Sequence, residues 1–208
     1  MKLTLPKRII LSFFGVFIIS IAVALFRFVD LGTDPCSCLN LGIAKITGLS
    51  FGTTQVIVNA VTFAALAGFG IKYFGIGTLF SMFMVGYLSD FVLEHILLTN
   101  GAAYPLVLRL AILFVGVLII GFGVAIYSIA NLGISPYDAF SFIVDERTRG
   151  RLKFKYVRIV LDVTSVILGF LLGSVVGIGT LIIAFGTGPC VAFMREKVVG
   201  PCLKVQKE

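Results

Sequence analysis

The chain has 208 residues, 59% hydrophobic and 13% charged, with a mean hydropathy of +1.10 and a formal charge of +7. An average soluble domain is about 45–50% apolar and about 25% charged, so these values exclude an ordinary soluble enzyme, a disordered chain and a coiled coil. They describe an all-α integral membrane protein, and the basic balance belongs to membrane topology rather than to nucleic acid.

Six segments are each long enough to cross a hydrocarbon core of about 30 Å as a helix. The first is predicted over 7–29. Its Lys7 and Arg8 precede an apolar run and Ala22-Val23-Ala24 resembles a cleavage site, yet the segment recurs inside the chain, so it is expected to remain as a span. Leu31-Gly32-Thr33-Asp34-Pro35 then breaks the helix. Asp34 is placed to cap a new helix with Pro35 in its first turn, and the piece from Pro35 to Thr47 is too short to span. Spans two and three are predicted over 52–73 and 75–97, joined by a tight turn at Gly75. Span four is predicted over 105–130. It ends in Leu132-Gly133-Ile134-Ser135-Pro136, where Ser135 is the expected cap of a second short helix, Pro136 to Arg147. Spans five and six are predicted over 154–175 and 177–197. The two short helices are read as re-entrant, with an interfacial position as the alternative.

The halves repeat. Residues 8–35 align with 109–136 without gaps at 11 identical positions of 28, including Arg8/Arg109, Gly15/Gly116, Gly32/Gly133 and Pro35/Pro136. Gly75-Ile76-Gly77-Thr78 matches Gly177-Ile178-Gly179-Thr180. The expected units are therefore 1–100 and 101–208, together one membrane domain. Each unit holds three spans, an odd number, so the second enters the membrane upside down relative to the first. The charges agree. With the N-terminus inside, fourteen basic residues fall inside, among them Lys2, Lys204, Lys207 and the loop 147–158, and only Arg27, Lys45 and Arg109 fall outside. Both termini are expected in the cytoplasm. The basic loop doubles as a candidate surface for anionic lipid.

Polar residues in apolar helices are candidates for a solute site. Gln55, Asn59 and Thr62 share one helix face, as do Arg158, Asp162 and Ser165. Asp162 reads either as a coupling carboxylate or as the neutraliser of an interfacial Arg158. Asp34, Ser37 and Asn40 from one joint, and Ser135, Tyr137 and Asp138 from the other, complete the candidate set with Gln55, Asn59 and Asp162. Asp90 and Glu94 are expected to be solvated at the outer headgroups. His95 is the single histidine, so no histidine metal cluster or nucleophile triad is expected. Cys36 and Cys38 fit apolar packing better than a soft cation. No cofactor and no enzymatic activity is expected.

The motif LGISPYDAF at 132–140, the paired GIGT at 75–78 and 177–180 and the duplicated layout resemble the YczE/YitT-type bacterial membrane proteins, closest to the YczE branch. The resemblance implies a bacterial inner-membrane location and no particular reaction or substrate. The first half departs from the pattern, with TDPCS where the second carries SPYD. The expected function is a small transporter or channel-like permease for a small polar or anionic solute. The alternatives are a substrate-binding subunit of a multicomponent transporter and an accessory membrane protein. Expected partners are membrane lipid, the solute and a second copy packed through small-residue faces, with no nucleic acid.

Overall fold

The computed structural model describes residues 4–97 and 101–203, and all regular structure within them is helical. Lys2, Lys204 and Lys207, counted in the charge asymmetry, lie outside the described residues. The elements are α1 (Leu5–Val29), α2 (Pro35–Thr47), α3 (Phe51–Gly70), α4 (Ile76–His95), α5 (Leu106–Ala130), α6 (Pro136–Arg147), α7 (Phe154–Leu171) and α8 (Ile178–Phe193). A π-turn over Met194–Val199 continues α8 into a last helical turn, Gly200–Cys202.

Five helices are long and apolar enough to cross a membrane: α1, α3 with the turn that follows it, α4, α5, and α8 with its extension. The sixth expected span differs. Helix α7 covers 18 residues and carries Lys155, Arg158 and Asp162. It ends four residues earlier than predicted because Gly173 takes a left-handed φ of 89°.

The breaks follow local chemistry. Asp30 and Asn131 turn left-handed at the ends of α1 and α5. Asp34 then caps α2 by accepting from Ser37 N at 3.0 Å, and Ser135 caps α6 by accepting from Asp138 N at 3.2 Å. Each cap satisfies an amide that the first helical turn leaves without a partner.

Helices α1 and α5 pack antiparallel. A methyl group on Gly15 would lie 2.8 Å from Tyr127 N, and one on Gly116 would lie 2.6 Å from the Phe26 ring. Arg8 reaches the carbonyls of Ala130 (2.8 Å from Nε) and Asn131 at the end of α5. Arg109 does the same at the end of α1, bonding Val29 O at 2.7 Å and Asp30 O at 2.8 Å. A guanidinium is well suited to this place, since the last carbonyls of a helix carry partial negative charge. Between the helices sits a core of Ala22, Phe26, Val29, Leu113, Val117 and Ile120, closed by Ile183 of α8. Large apolar side chains such as Phe114, Phe170 and Phe185 point outward, which is stable only in an apolar solvent.

The glycine breaks lock the halves together. Gly77 N donates to Leu132 O at 2.9 Å, and Gly179 N donates to Leu31 O at 2.8 Å. Gly133 has φ 106°, and a Cβ there would lie 2.5 Å from Gly75 N. Gly133→Ala therefore meets both backbone strain and backbone overlap, and is expected to cost about 2 kcal/mol or more. Denaturant unfolding followed by circular dichroism would measure it, and a variant as stable as the parent would contradict the packing.

Candidate functional site

The two short helices lie alongside long neighbours. Helix α2 runs parallel to α7, with Cys38 beside Val166, Gly42 against Gly169, and Lys45 Nζ donating to Gly173 O at 3.0 Å. Helix α6 runs parallel to α3, with Ala139 and Ile143 packed on Leu66, Ile143 on Gly70, and Glu146 paired with Lys72. Lys72 and the Tyr73 hydroxyl, which donates to Glu146 at 3.0 Å, hold this exposed carboxyl below its usual range.

At the start of α6 a polar network forms. Arg158 pairs with Asp138, donates from Nε to Asp162 Oδ2 at 3.1 Å, and lies over the Tyr137 ring at 5.0 Å. The Tyr137 hydroxyl donates to Asp162 Oδ1 at 2.7 Å and stands 3.2 Å from Ser165 Oγ. Ser135 Oγ donates to Asp138 Oδ2 at 2.9 Å. The arginine fork thus bridges one acid on α6 and one on α7. Arg158 is the hub of a cross-helix network, so the reading in which Asp162 alone neutralises it is too small.

The start of α2 faces the same place. Cys38 lies beside Val166 on the parallel helix α7, so Asp34, one turn before Cys38, comes level with Asp162, one turn before Val166. Asp34 Oδ1 has no partner among the described residues. Asn40 is fully buried, with Nδ2 on the Cys36 sulfur at 3.8 Å and Oδ1 unpartnered. Ser37 is buried beside its cap. Asp34, Ser135, Tyr137, Asp138 and Asp162 thus gather from both joints, and Cys36, Arg158 and Ser165 join them. Spacing already put Arg158 and Ser165 on the Asp162 face; Cys36, singled out only in its Cys-x-Cys motif, is expected there in apolar packing and instead joins the polar group.

Gln55 and Asn59 are placed differently. Gln55 backs onto α4, where a Cβ on Gly86 would lie 3.3 Å from its own. Asn59 donates to Gln55 O at 2.9 Å within its helix, and Thr62 donates to Val58 O at 2.7 Å. Both Gln55 and Asn59 are buried, but the contacts they make serve α3 and its packing on α4. The two cysteines of the Cys-x-Cys motif part company as well, Cys36 toward Asn40 and Cys38 toward α7. Among the described residues no group of three or more His, Cys, Asp or Glu could hold a metal ion.

Asp90 corrects the expectation of a solvated headgroup carboxylate. It pairs with Arg27 at 2.7 Å, and the side chains are only 13% and 12% exposed. Its second oxygen accepts from Gly52 N at 2.7 Å in the first turn of α3.

Apolar helices packed around a partly exposed ionic network, with large hydrophobic side chains turned outward, define a multi-pass membrane protein. The chain matches a family of unknown function, DUF6198, over residues 6–196, and it belongs to that family. It is 29% identical over 187 residues to an uncharacterised protein of Haemophilus influenzae, covering 90% of this chain and 83% of the relative. It is 26% identical over 197 residues to the uncharacterised membrane protein YczE of Bacillus subtilis, covering 93% and 87%. The similarity to YczE bears out the resemblance read from LGISPYDAF and the paired GIGT motifs. No solved structure matches.

Proposed function

We propose that this protein is a small transporter or channel-like permease, and not an enzyme, for a small polar or anionic solute. One observation carries the reading: the first turns of α2 and α6, from opposite halves, converge on one polar network around Arg158. Helix N-termini present partial positive charge and favour anionic groups beside them. An anionic group on the solute competes with Asp138 for Arg158, and its release frees the start of α6 from α7. Such an exchange gives two arrangements that solute binding biases.

The two halves, 1–100 and 101–208, are read as inverted repeats of three spans, with α7 as the sixth and α2 and α6 re-entrant. Reciprocal contacts support this. Arg8 and Arg109 bind the opposite half's helix end, and Gly77 and Gly179 bind the opposite half's break. The charge asymmetry supports both termini in the cytoplasm, and the likeness to YczE supports a bacterial inner-membrane location. Lipid and a second copy of the chain remain the proposed macromolecular surroundings.

Flux into liposomes containing only the purified protein tests the function. Uptake of at least one solute from a panel of amino acids, carboxylates, inorganic anions and amines is expected. Ligand-induced thermal stabilisation without flux of any stabilising solute would overturn transport and favour a binding subunit.

A further inference from the structure

A cavity of about 470 Å³ opens between α1, α2 and the turn from α7 into α8. This lies in the range of small-molecule sites, about 300–1,000 Å³. Its walls are of two kinds. Leu41, Leu49, Leu93 and Val175 form an apolar side, with Phe26 and Phe51 buried behind it. Arg27, Lys45, Thr33 and Ser174 form a polar side.

The polar side is incompletely satisfied. Thr33 and Ser174 are 4% and 8% exposed, and neither hydroxyl has a hydrogen-bond partner of ordinary strength, Ser174 having only the weak thiol of Cys38 beside it. A buried hydroxyl without a partner is costly unless a ligand or water completes it. Arg27 is committed to Asp90, whereas Lys45 bonds only the Gly173 carbonyl and has no carboxylate within ion-pair distance among the described residues. Lys45 thus leaves donors and a charge at the cavity edge. Arg109, the third basic residue assigned to that side, binds the carbonyl of Asp30, which also lines the cavity. Arg27 and Lys45 thus line the opening together with Asp30, and Arg109 holds the Asp30 backbone from outside it. Thr33 precedes Asp34, so the cavity floor adjoins the central network in the chain.

We propose that this cavity binds a small organic monocarboxylate, its carboxylate on Lys45 and the hydroxyls of Thr33 and Ser174, its apolar body against Leu49 and Val175. An inorganic anion would leave the exposed aliphatic wall uncovered, and a neutral apolar molecule would leave Lys45 and the hydroxyls unmatched. The proposal rests on the transport reading for its purpose, as the entry point of the solute, but binding is measured without flux.

The test uses full-length protein, delipidated in detergent, titrated with hexanoate, hexanol and inorganic phosphate by calorimetry and thermal shift. Hexanoate is expected to bind and stabilise, with hexanol and phosphate at least tenfold weaker. Lys45→Gln is expected to weaken hexanoate at least tenfold, Lys45→Arg to keep most of the affinity, and Thr33→Val to weaken it severalfold. Mass spectrometry of the lipid extract separates the sources of the carboxylate. A co-purified fatty acid that hexanoate displaces assigns it to the membrane, and its absence assigns it to the aqueous phase. Equal binding of hexanol or phosphate, or affinity unchanged in both Lys45→Gln and Thr33→Val, overturns the proposal. Asp162→Asn should bind hexanoate as the parent does, so loss of flux with binding retained separates failure of the central network from failure of this site.

Discussion

Asp90→Ala is expected to destabilise the protein by about 3–5 kcal/mol, the range for removing one partner of a buried ion pair. The reason is what the substitution leaves behind. Arg27 Nη1 donates to Asp90 Oδ1 at 2.7 Å and to Ser89 Oγ at 2.9 Å, with its guanidinium 4.3 Å over the Phe51 ring. Without Asp90 the cation keeps one neutral acceptor in a nearly closed site. Gly52 N loses its acceptor at the same time, and α3 loses a negative charge from its N-terminus. One carboxylate thus ties α1, α3 and α4 together. Asp90→Asn should fall between parent and alanine, since an amide oxygen still accepts from Gly52 but cannot neutralise Arg27. The Lys72–Glu146 pair is the contrast, with side chains 60% and 49% exposed, and its loss should be felt little and less in high salt. Denaturant unfolding in micelles followed by circular dichroism measures both. An Asp90→Ala variant no weaker than a Glu146→Gln variant would contradict the argument.

Asp90 also marks the limit of reading by position. Its place near a helix end suggested solvent, and its partner Arg27 is 63 residues away on another helix. No spacing rule reaches that far. The local punctuation was far more legible. Gly32, Asp34 and Pro35, and Gly133, Ser135 and Pro136, act through their own backbone and caps, so the limits of α2 and α6 come out as expected. The end of α7 was overshot because Leu172 and Val175 look like more helix, while Gly173 turns the chain. Periodicity put Gln55 with Asn59, and Arg158 with Asp162, on single faces. It names a face but not the neighbour that face meets. Gln55 meets α4, whereas Arg158 meets Asp138 across a 20-residue separation. The halves share a sequence pattern, yet their side chains at the centre are unlike, so the network is built by the second half and only approached by Asp34 and Cys36 of the first.

Arg158→Gln is expected to lower solute flux at least tenfold, and Arg158→Lys to restore only part of it. Three carboxylates, Asp34, Asp138 and Asp162, share the surroundings of this one cation. Removing it leaves like charges in contact with apolar helices, which also costs stability. A lysine replaces the charge but not the fork, and a point charge does not bridge Asp138 and Asp162 as a planar guanidinium does. Stability and flux must therefore be read separately. The double variant Arg158→Gln with Asp138→Asn relieves the unpaired acid on α6, so it should recover folding relative to Arg158→Gln alone, with a coupling of about 1–3 kcal/mol. On the proposed transport reading flux should stay low, because the group proposed to engage the solute is still missing. Circular dichroism unfolding supplies one axis, and liposome uptake of the solute identified by the panel supplies the other. Recovery of both in the double variant would mean that Arg158 only balances charge. Recovery of stability alone would mark it as the residue through which solute binding reaches α6.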